Sequence, residues 1–165
     1  MLKTSKVIAG ILSVFLGGVA FAQERGSVTN LPIPRFVSMK ADEGNVRRGP
    51  SKTQRIDWVY KHRDMPLKIV KEYEHWRRVE DIDGQGGWMH FRLLSTARTV
   101  IFTEEKTPLR RRAYDGAEAR AFAEQGVIGK LDECNPEWCK IFIGRENGWV
   151  KKTEVWGVDA DELRE

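Results

Sequence analysis

The stretch WRRVEDIDGQGGWM at residues 76–89 decides the fold of this chain, because a related stretch, WCKIFIGRENGWV, recurs at residues 138–150. The tryptophans that open the two stretches are 62 residues apart, and a Gly-Trp pair stands near the end of each. Arginine runs at residues 47–48 and 110–112 precede them at nearly the same interval. Three landmarks in one order at one offset predict a tandem repeat.

The segments within each copy are short and rich in Val, Ile, Trp and Tyr. Gly, Pro, Asn and Asp separate them at intervals of roughly eight to twelve residues, which is the spacing of strands in a small antiparallel barrel or sandwich. The predicted fold class is therefore all-β, with one small barrel for each copy. Residues 115–125 contain four alanines, and we expect either a short helix or an extended loop across the barrel there.

Residues 1–22 have the pattern of a signal peptide, with two lysines, an uncharged apolar run and an Ala-Phe-Ala ending. We expect cleavage between Ala22 and Gln23. The apolar run of about 15 residues is shorter than the ~20 residues that span a bilayer, although an uncleaved N-terminal anchor is the alternative. The cleaved protein is expected to be periplasmic, or else secreted, and to contain no integral membrane segment.

Charge and length restrict the classes of function. The 165 residues include 28 Lys and Arg against 24 Asp and Glu, a net charge of +4. Cleavage would remove Lys3 and Lys6 and leave a net charge of +2, too small a surplus for a dedicated nucleic-acid binder. All six tryptophans follow residue 22, which argues against a disordered chain. The remaining length allows one ordinary domain or two very small ones.

Cys134 and Cys139 lie between two strand-like segments in the sequence CNPEWC. Asn-Pro indicates a turn between those segments, and export would place both thiols in an oxidising compartment, so we predict a disulfide. Two buried free thiols or a redox role are the alternatives. The spacing differs from that of a redox Cys-x-x-Cys motif, and no nearby histidine completes a zinc site.

Signals of catalysis are weak. The three histidines, His62, His75 and His90, lack the helical spacing of a metal site, and the sequence contains neither a Gly-x-Ser-x-Gly elbow nor a phosphate-binding loop. We therefore expect no catalytic residue, no metal, no cofactor and no enzymatic activity.

These landmarks resemble those of the bacterial SH3-like domain family. The first copy carries them at residues 45–51 (NVRRGPS), 76–79 (WRRV), 84–89 (GQGGWM) and 93–95 (LLS). The second copy resembles a diverged member that keeps residues 109–110, 126–127, 138–139 and 148–150 but lacks the Gly-Pro-Ser turn. The tandem arrangement with its two cysteines is similar to small exported proteins of alphaproteobacterial type. The resemblance implies two five- to six-stranded barrels and modules that bind peptides or cell-wall peptidoglycan.

The predicted organisation follows from the repeat and the signal peptide. It comprises a signal peptide (residues 1–22), an N-terminal linker (23–35), a first SH3-like domain (36–102), a second SH3-like domain (103–158) and a polar C-terminal tail (159–165).

Aromatic residues supply the first candidates for a binding site. Trp58 and Tyr60 are predicted to lie in a long loop over the first barrel, where an aromatic groove could hold an extended peptide. Tyr73 and Trp76 flank a predicted hairpin tip and would extend that groove. The alternative is that these side chains cover or frame the barrel, and for Trp76 we favour that framework role.

Arg47 and Arg48 are the charged candidates, because guanidinium groups bind the carboxylates of acidic peptides or of wall stem peptides in a bidentate manner. The favoured alternative is an ordinary solvated surface balanced by nearby acids.

The sequence thus predicts an exported, non-enzymatic protein whose tandem SH3-like barrels bind a peptide, protein or cell-wall ligand. The alternatives are a structural subunit of an envelope complex and an accessory protein that regulates a cell-wall hydrolase in trans. No oligomeric state is predicted.

Overall fold

The computed structural model describes residues 23–165. The predicted signal peptide, with Ala22 at its cleavage site, lies outside the described residues. The first half of the described chain forms a seven-stranded antiparallel sheet. Its strands are β1 (Arg35–Met39), β2 (Gly44–Arg47), β3 (Ile56–Tyr60), β4 (Pro66–Tyr73), β5 (Trp76–Glu80), β6 (Gly86–His90) and β7 (Leu94–Ser95). A single 3-10 turn, Phe91–Leu93, separates β6 from β7.

The second half repeats this arrangement with seven further strands. They are β8 (Thr99–Phe102), β9 (Lys106–Arg110), β10 (Ala119–Glu124), β11 (Ile128–Cys134), β12 (Trp138–Ile143), β13 (Glu146–Lys151) and β14 (Val155–Trp156). The spatial order is β3-β2-β6-β5-β4-β1-β7 in the first sheet and β10-β9-β13-β12-β11-β8-β14 in the second. Adding seven to each strand number converts one order into the other. The predicted all-β class and tandem repeat are confirmed, and we call the two units the first and second domains.

The repeated Gly-Trp pair has a packing reason. A Cβ atom on Gly87 in β6 would lie 2.6 Å from the carbonyl oxygen of Arg47 in β2, and one on Gly148 in β13 would lie 2.6 Å from the carbonyl carbon of Leu109 in β9. These distances are too short for any side chain, so only glycine lets the two strands approach so closely. The equivalent strands meet in the same way in both domains.

Each domain has its own hydrophobic core, built by alternation along the strands. The core of the first domain contains Ile33, Val37, Met39, Val46, Leu67, Ile69, Val79 and Met89. The core of the second contains Val100, Phe102, Leu109, Ala123, Leu131, Cys134, Cys139, Ile141, Val150 and Val155. The predicted bridge is confirmed, since Cys134 and Cys139 form a disulfide within this second core.

The segment before β1 belongs to the first domain, although the sequence predicts a linker over residues 23–35. Ile33 is buried in the core, and the loop before it contacts Glu72 of β4. The backbone N–H groups of Val28 and Thr29 donate to Glu72 Oε2 at 3.0 and 2.8 Å, and Arg35 Nη2 donates to Glu72 Oε1 at 2.7 Å. A buried carboxylate thus ties this segment to the sheet.

The predicted boundary after residue 102 places β8 in the first domain, but β8 pairs with β11 and β14 of the second sheet. The predicted polar tail over residues 159–165 is likewise attached to the second domain. Arg164 and Cys134 exchange two backbone hydrogen bonds, and Arg98 donates to both carboxylate oxygens of Glu162. These contacts fix the end of the chain beside β11.

Residues 115–125 form neither a helix nor a loop alone, because most of them belong to strand β10 (Ala119–Glu124). β10 pairs with β9 in an antiparallel register that is interrupted between Ala119 and Ala121. Three of the four alanines thus belong to an edge strand whose alternation is obscured by this irregularity.

The two domains also contact each other. The rings of Phe36 and Trp156 meet edge to face with their centroids 5.0 Å apart, and Lys68 Nζ of the first domain lies 6.0 Å from the centroid of the Trp156 ring. Thr99 Oγ1 donates to the carbonyl oxygen of Asp64 at 2.7 Å. Within residues 23–165, no helix has the length and apolar character needed to cross a membrane.

Candidate binding site

A cavity of about 190 Å³ lies on the outer side of β2, β5 and β6 in the first domain. We call it the first-domain pocket, and the residues that line it are Asn45, Arg47, Lys52, Trp76, His90 and Leu93. Val46 and Met89 are fully buried in the core, so their neighbours Arg47 and His90 point to the opposite side. The strand period therefore brings one guanidinium and one imidazole together.

Trp76 and His90 are direct cross-strand partners on β5 and β6. Their rings meet edge to face with a centroid distance of 5.5 Å. Trp76 is only 8% exposed, so it forms a fixed apolar wall of the pocket and is not an open stacking platform. Its predicted framework role and its predicted place in a binding site are thus compatible.

Arg47 and Lys52 supply the positive charge of the pocket. Arg47 Nη1 donates to the carbonyl oxygen of Gln54 at 2.7 Å, which holds the β2–β3 loop (residues 48–55) against the strand. A guanidinium has five N–H donors, so Arg47 retains others for a ligand. Among the described residues, no carboxylate forms an ion pair with Arg47 or Lys52.

His90 is held in one orientation by its own backbone turn. The N–H of Arg92 donates to His90 Nδ1 at 3.3 Å, so the proton of the neutral ring is on Nε2. Burial lowers the pKa of His90 below its ordinary value, and the positive charge of Arg92 acts in the same direction. At neutral pH the ring is therefore an uncharged hydrogen-bond donor beside two cations.

The second domain has counterparts for the principal residues of this pocket. Trp138 is the cross-strand partner of Lys151, as Trp76 is of His90. Lys151 Nζ lies 5.4 Å from the centroid of the Trp138 ring and forms an ion pair with Asp115. The corresponding surface of the second domain therefore contains a carboxylate supplied by the chain itself.

Two of the predicted site residues, Arg47 and Trp76, come together in the first-domain pocket. Tyr73 is the cross-strand partner of Trp76 at the end of the β4–β5 hairpin and is 51% exposed, but it does not line the pocket. Arg48 does not line the pocket, because it points away and forms an ion pair with Asp57 at 3.3 Å.

The prediction that Trp58 and Tyr60 lie in a loop is wrong, because both belong to edge strand β3. Trp58 is the cross-strand partner of the core residue Val46, which places it on the inward side and away from the pocket. The Tyr60 hydroxyl donates to Asp81 Oδ2 at 2.9 Å, and burial together with this bond raises its pKa. Tyr60 packs against the core, whereas Trp58 is 46% exposed at the edge.

Sequence reasoning missed Asn45, Lys52, His90 and Leu93 as pocket residues. The signal for His90 is the two-residue period of strand β6. His90 stands two residues after Trp88, so both side chains lie on the outer side of the sheet. Lys52 could be found from the repeat, because it stands at the same offset from Arg47 as Asp115 does from Arg110. Within residues 23–165, no group of three or more His, Cys, Asp or Glu side chains could hold a metal ion.

Comparison with known proteins gives a family assignment for most of the described chain. A family model described as Bacterial SH3 domain matches residues 40–96 and again residues 103–157. No curated protein matches the chain.

Two solved structures are similar to the chain at low identity. One, the structure of NlpC1 from Trichomonas vaginalis, has 10% sequence identity and a TM-score of 0.35, with coverage of 88% of this chain and 50% of that one. The other, the structure of NlpC2 from Trichomonas vaginalis, has 8% identity and a TM-score of 0.34, with coverage of 74% and 48%. The chain spans about half the length of these two structures.

Proposed function

We propose, because this chain belongs to the bacterial SH3 domain family, that it is an exported, non-enzymatic protein whose first-domain pocket binds a peptide, protein or cell-wall ligand. Domains of this family are binding modules for protein or cell-wall ligands. The observation that carries the proposal is the cavity of about 190 Å³ between Arg47, Lys52, Trp76 and His90. The periplasm is the compartment proposed for it, on the strength of the signal-peptide pattern in residues 1–22.

The chemistry of the pocket supports binding. Ligand sites are concave, with apolar walls and a small number of converging polar groups that fix orientation. Trp76 and Leu93 supply apolar walls, and Arg47, Lys52 and His90 contribute side chains with hydrogen-bond donors to the same lining. The volume suits one amino-acid residue of a ligand, so we expect the rest of a bound chain to extend over the surface toward Tyr73.

Co-sedimentation with purified cell-wall sacculi tests the wall ligand, and affinity capture from a detergent-free envelope extract tests a protein ligand. We expect the wild-type protein to be retained in one of these two arms, and Lys52→Asp to reduce that retention at least tenfold. Lys61→Asp is the matched control, because Lys61 carries the same charge in an exposed position outside the pocket. Equal loss in both variants, or retention in neither arm, would contradict the proposal.

A second candidate function, an interaction subunit of an envelope complex, is favoured by strand β3. Within the described chain β3 pairs with β2 and with no further strand, so its outer backbone groups can pair with a strand from a partner protein. Ile56, Trp58 and Val59 on this edge are each between 41% and 46% exposed. Replacement of Val59 by proline would remove a backbone donor. Co-purification of the same envelope protein with this variant and with the wild type would exclude such strand pairing.

A further inference from the structure

The two domains can be compared residue by residue around the pocket, because the loops beside it are closed in the same way. In the first domain the N–H of Arg48 donates to the carbonyl of Arg55 at 3.0 Å, and in the second the N–H of Arg111 donates to that of Glu118 at 2.9 Å. The β9–β10 loop (residues 111–118) thus has the length and closing bond of the β2–β3 loop. Position 52 in the first domain corresponds to position 115 in the second.

The second domain has a carboxylate at this position. Asp115 forms an ion pair with Lys151, whose ammonium lies over the ring of Trp138. Both partners are on the surface, with 71% of the Asp115 side chain exposed, so the pair is an interaction that solvent and a competing ion can reach. The second domain therefore contains an anion, provided from within the chain, beside Trp138, the counterpart of Trp76.

The first domain has the opposite charge at the same position. Lys52 stands in the place of Asp115, and His90 stands in the place of Lys151. Arg47 corresponds to Arg110, so this arginine is present in both domains. No acidic side chain lines the pocket, so Arg47, Lys52 and His90 border a space of about 190 Å³ to which the chain contributes no carboxylate. Two cations and an N–H donor around one small space favour an anion, and a planar guanidinium favours a carboxylate in particular.

We infer that the first-domain pocket binds a carboxylate group of a peptide, and that Asp115 occupies the equivalent place in the second domain as an internal substitute for that ligand. This inference rests on the proposed function and specifies its ligand chemistry. One chain accordingly binds one carboxylate, in the first domain. The carboxylate can belong to an acidic side chain or to the free end of a peptide, including a wall stem peptide.

The test is a titration followed by NMR of the full mature chain, with the backbone amides of His90 and Lys151 as reporters for the two domains. The probes are acetyl-Ala-Glu-Ala-amide and its uncharged isostere acetyl-Ala-Gln-Ala-amide for a side-chain carboxylate, and acetyl-Ala-Ala with a free or an amidated end for a terminal one. We expect at least one carboxylate probe to shift His90 at concentrations at least tenfold below those required by its uncharged counterpart. The preferred probe distinguishes the two sources.

Two variants and one control locate the effect. Lys52→Asp should abolish the shift of His90, whereas the surface control Lys61→Asp should retain it. Asp115→Ala should make Lys151 respond to the same carboxylate probe, because the internal carboxylate has been removed. Both positions are exposed or at a rim, and the unchanged remainder of each spectrum verifies folding.

The outcomes separate the inference from the proposed function. If charged and uncharged probes shift His90 equally, or if the protein is retained by sacculi or an envelope partner while no carboxylate probe shifts His90, the carboxylate assignment is wrong and a binding function stands. If no probe shifts His90 and neither retention arm succeeds, both are wrong. If Lys151 in the Asp115→Ala variant ignores a probe that shifts His90, Asp115 is not a ligand substitute.

Discussion

Arg47 and Arg110 occupy equivalent places in the two domains, and each donates from Nη1 to the backbone carbonyl seven residues ahead. The distances are 2.7 Å to Gln54 and 3.1 Å to Ala117. Each arginine therefore holds the loop that borders the outer surface of its domain. The two arginines therefore have the same structural role, whereas the charged residues around them differ between the domains.

This equivalence predicts that the two arginines differ in binding but not in stability. We expect Arg47→Ala and Arg110→Ala each to lower the free energy of unfolding by about 1 kcal/mol, the usual net value of one such hydrogen bond. Only Arg47→Ala should weaken ligand binding, because only Arg47 lines the first-domain pocket. Urea denaturation and a retention assay on the same samples measure the two effects. A similar loss of binding in both variants would show that the pocket is not the site.

The buried carboxylate of Glu72 makes stability depend on acid. Burial raises the pKa of Glu72, but the hydrogen bonds from Thr29, Arg35 and Val28 outweigh it and hold the pKa at about 2, against an ordinary value of 4.5. The folded state thus binds fewer protons than the unfolded state. The stability from Glu72, roughly 3 kcal/mol, should be fully present above pH 4.5 and decline as the pH falls toward 2.

The measurement is the free energy of unfolding between pH 6 and pH 2.5 for the wild type and for Glu72→Gln. The variant should be less stable at pH 6, and its pH dependence should be flatter. Glu118→Gln is the control, because that carboxylate is 72% exposed and its ion pair with Arg111 lies on the surface. A wild-type profile no steeper than that of Glu72→Gln would contradict the role assigned to Glu72.

The disulfide should stabilise the second domain without affecting binding in the first. Cross-linking two positions five residues apart is worth about 2 kcal/mol in the chain-entropy model, toward the low end of the usual range. We expect the double variant Cys134→Ser, Cys139→Ser to lose at least this amount, since both sulfurs lie in the core. Thermal unfolding measures the stability, and the peptide titration measures the binding. Reduced affinity of this variant for the probe would contradict the prediction that the disulfide does not affect the first domain.

Binding of a carboxylate should strengthen as the pH falls from 7.5 to 5. Burial lowers the pKa of His90, as do the charges of Arg92, His75, Lys52 and Arg77, so the ring is neutral at pH 7.5 and gains charge as the solution becomes acidic. One full added charge near the anion is worth about 1 kcal/mol at high dielectric, so protonation of the ring strengthens binding by at most roughly fivefold. A peptide carboxylate remains largely ionised down to about pH 4.5.

The variant His90→Gln keeps a neutral donor and should bind equally at both pH values. The control His75→Gln should retain the pH dependence, because His75 does not line the pocket. The readout is the dissociation constant of the carboxylate probe at pH 7.5 and pH 5. A strengthening toward pH 5 that survives in His90→Gln would assign the proton to another group.

The fold was predictable because the Gly-Trp repeat reflects a backbone constraint. Gly87 and Gly148 stand where two strands approach too closely for any side chain, so the pattern persists in both copies. The domain limits were less predictable. Glu72 holds the segment around Thr29 by hydrogen bonds between residues about 43 apart, and local sequence patterns carry no information on such pairing.

The binding site could be predicted from the sequence only in part. Arg47 and Trp76 belong to family landmarks and could be named from the sequence, but their meeting with His90 depends on which face of each strand is turned outward. Trp58 was misplaced because its strand is irregular, with a register shift between Val46 and Arg47 that hides the alternation. Lys52 lies in a turn without a distinctive motif, and its significance appears only by comparison with Asp115.

The most direct test of the account exchanges the two decisive charges. In the double variant Lys52→Asp, Asp115→Lys, the first domain acquires an internal carboxylate and the second acquires the cation of the first-domain pocket. Titration of this variant with the carboxylate probe that the wild type prefers should leave the amide of His90 unchanged and shift that of Lys151. A shift that remains at His90, with Lys151 unaffected, would contradict the claim that these positions determine where the ligand binds.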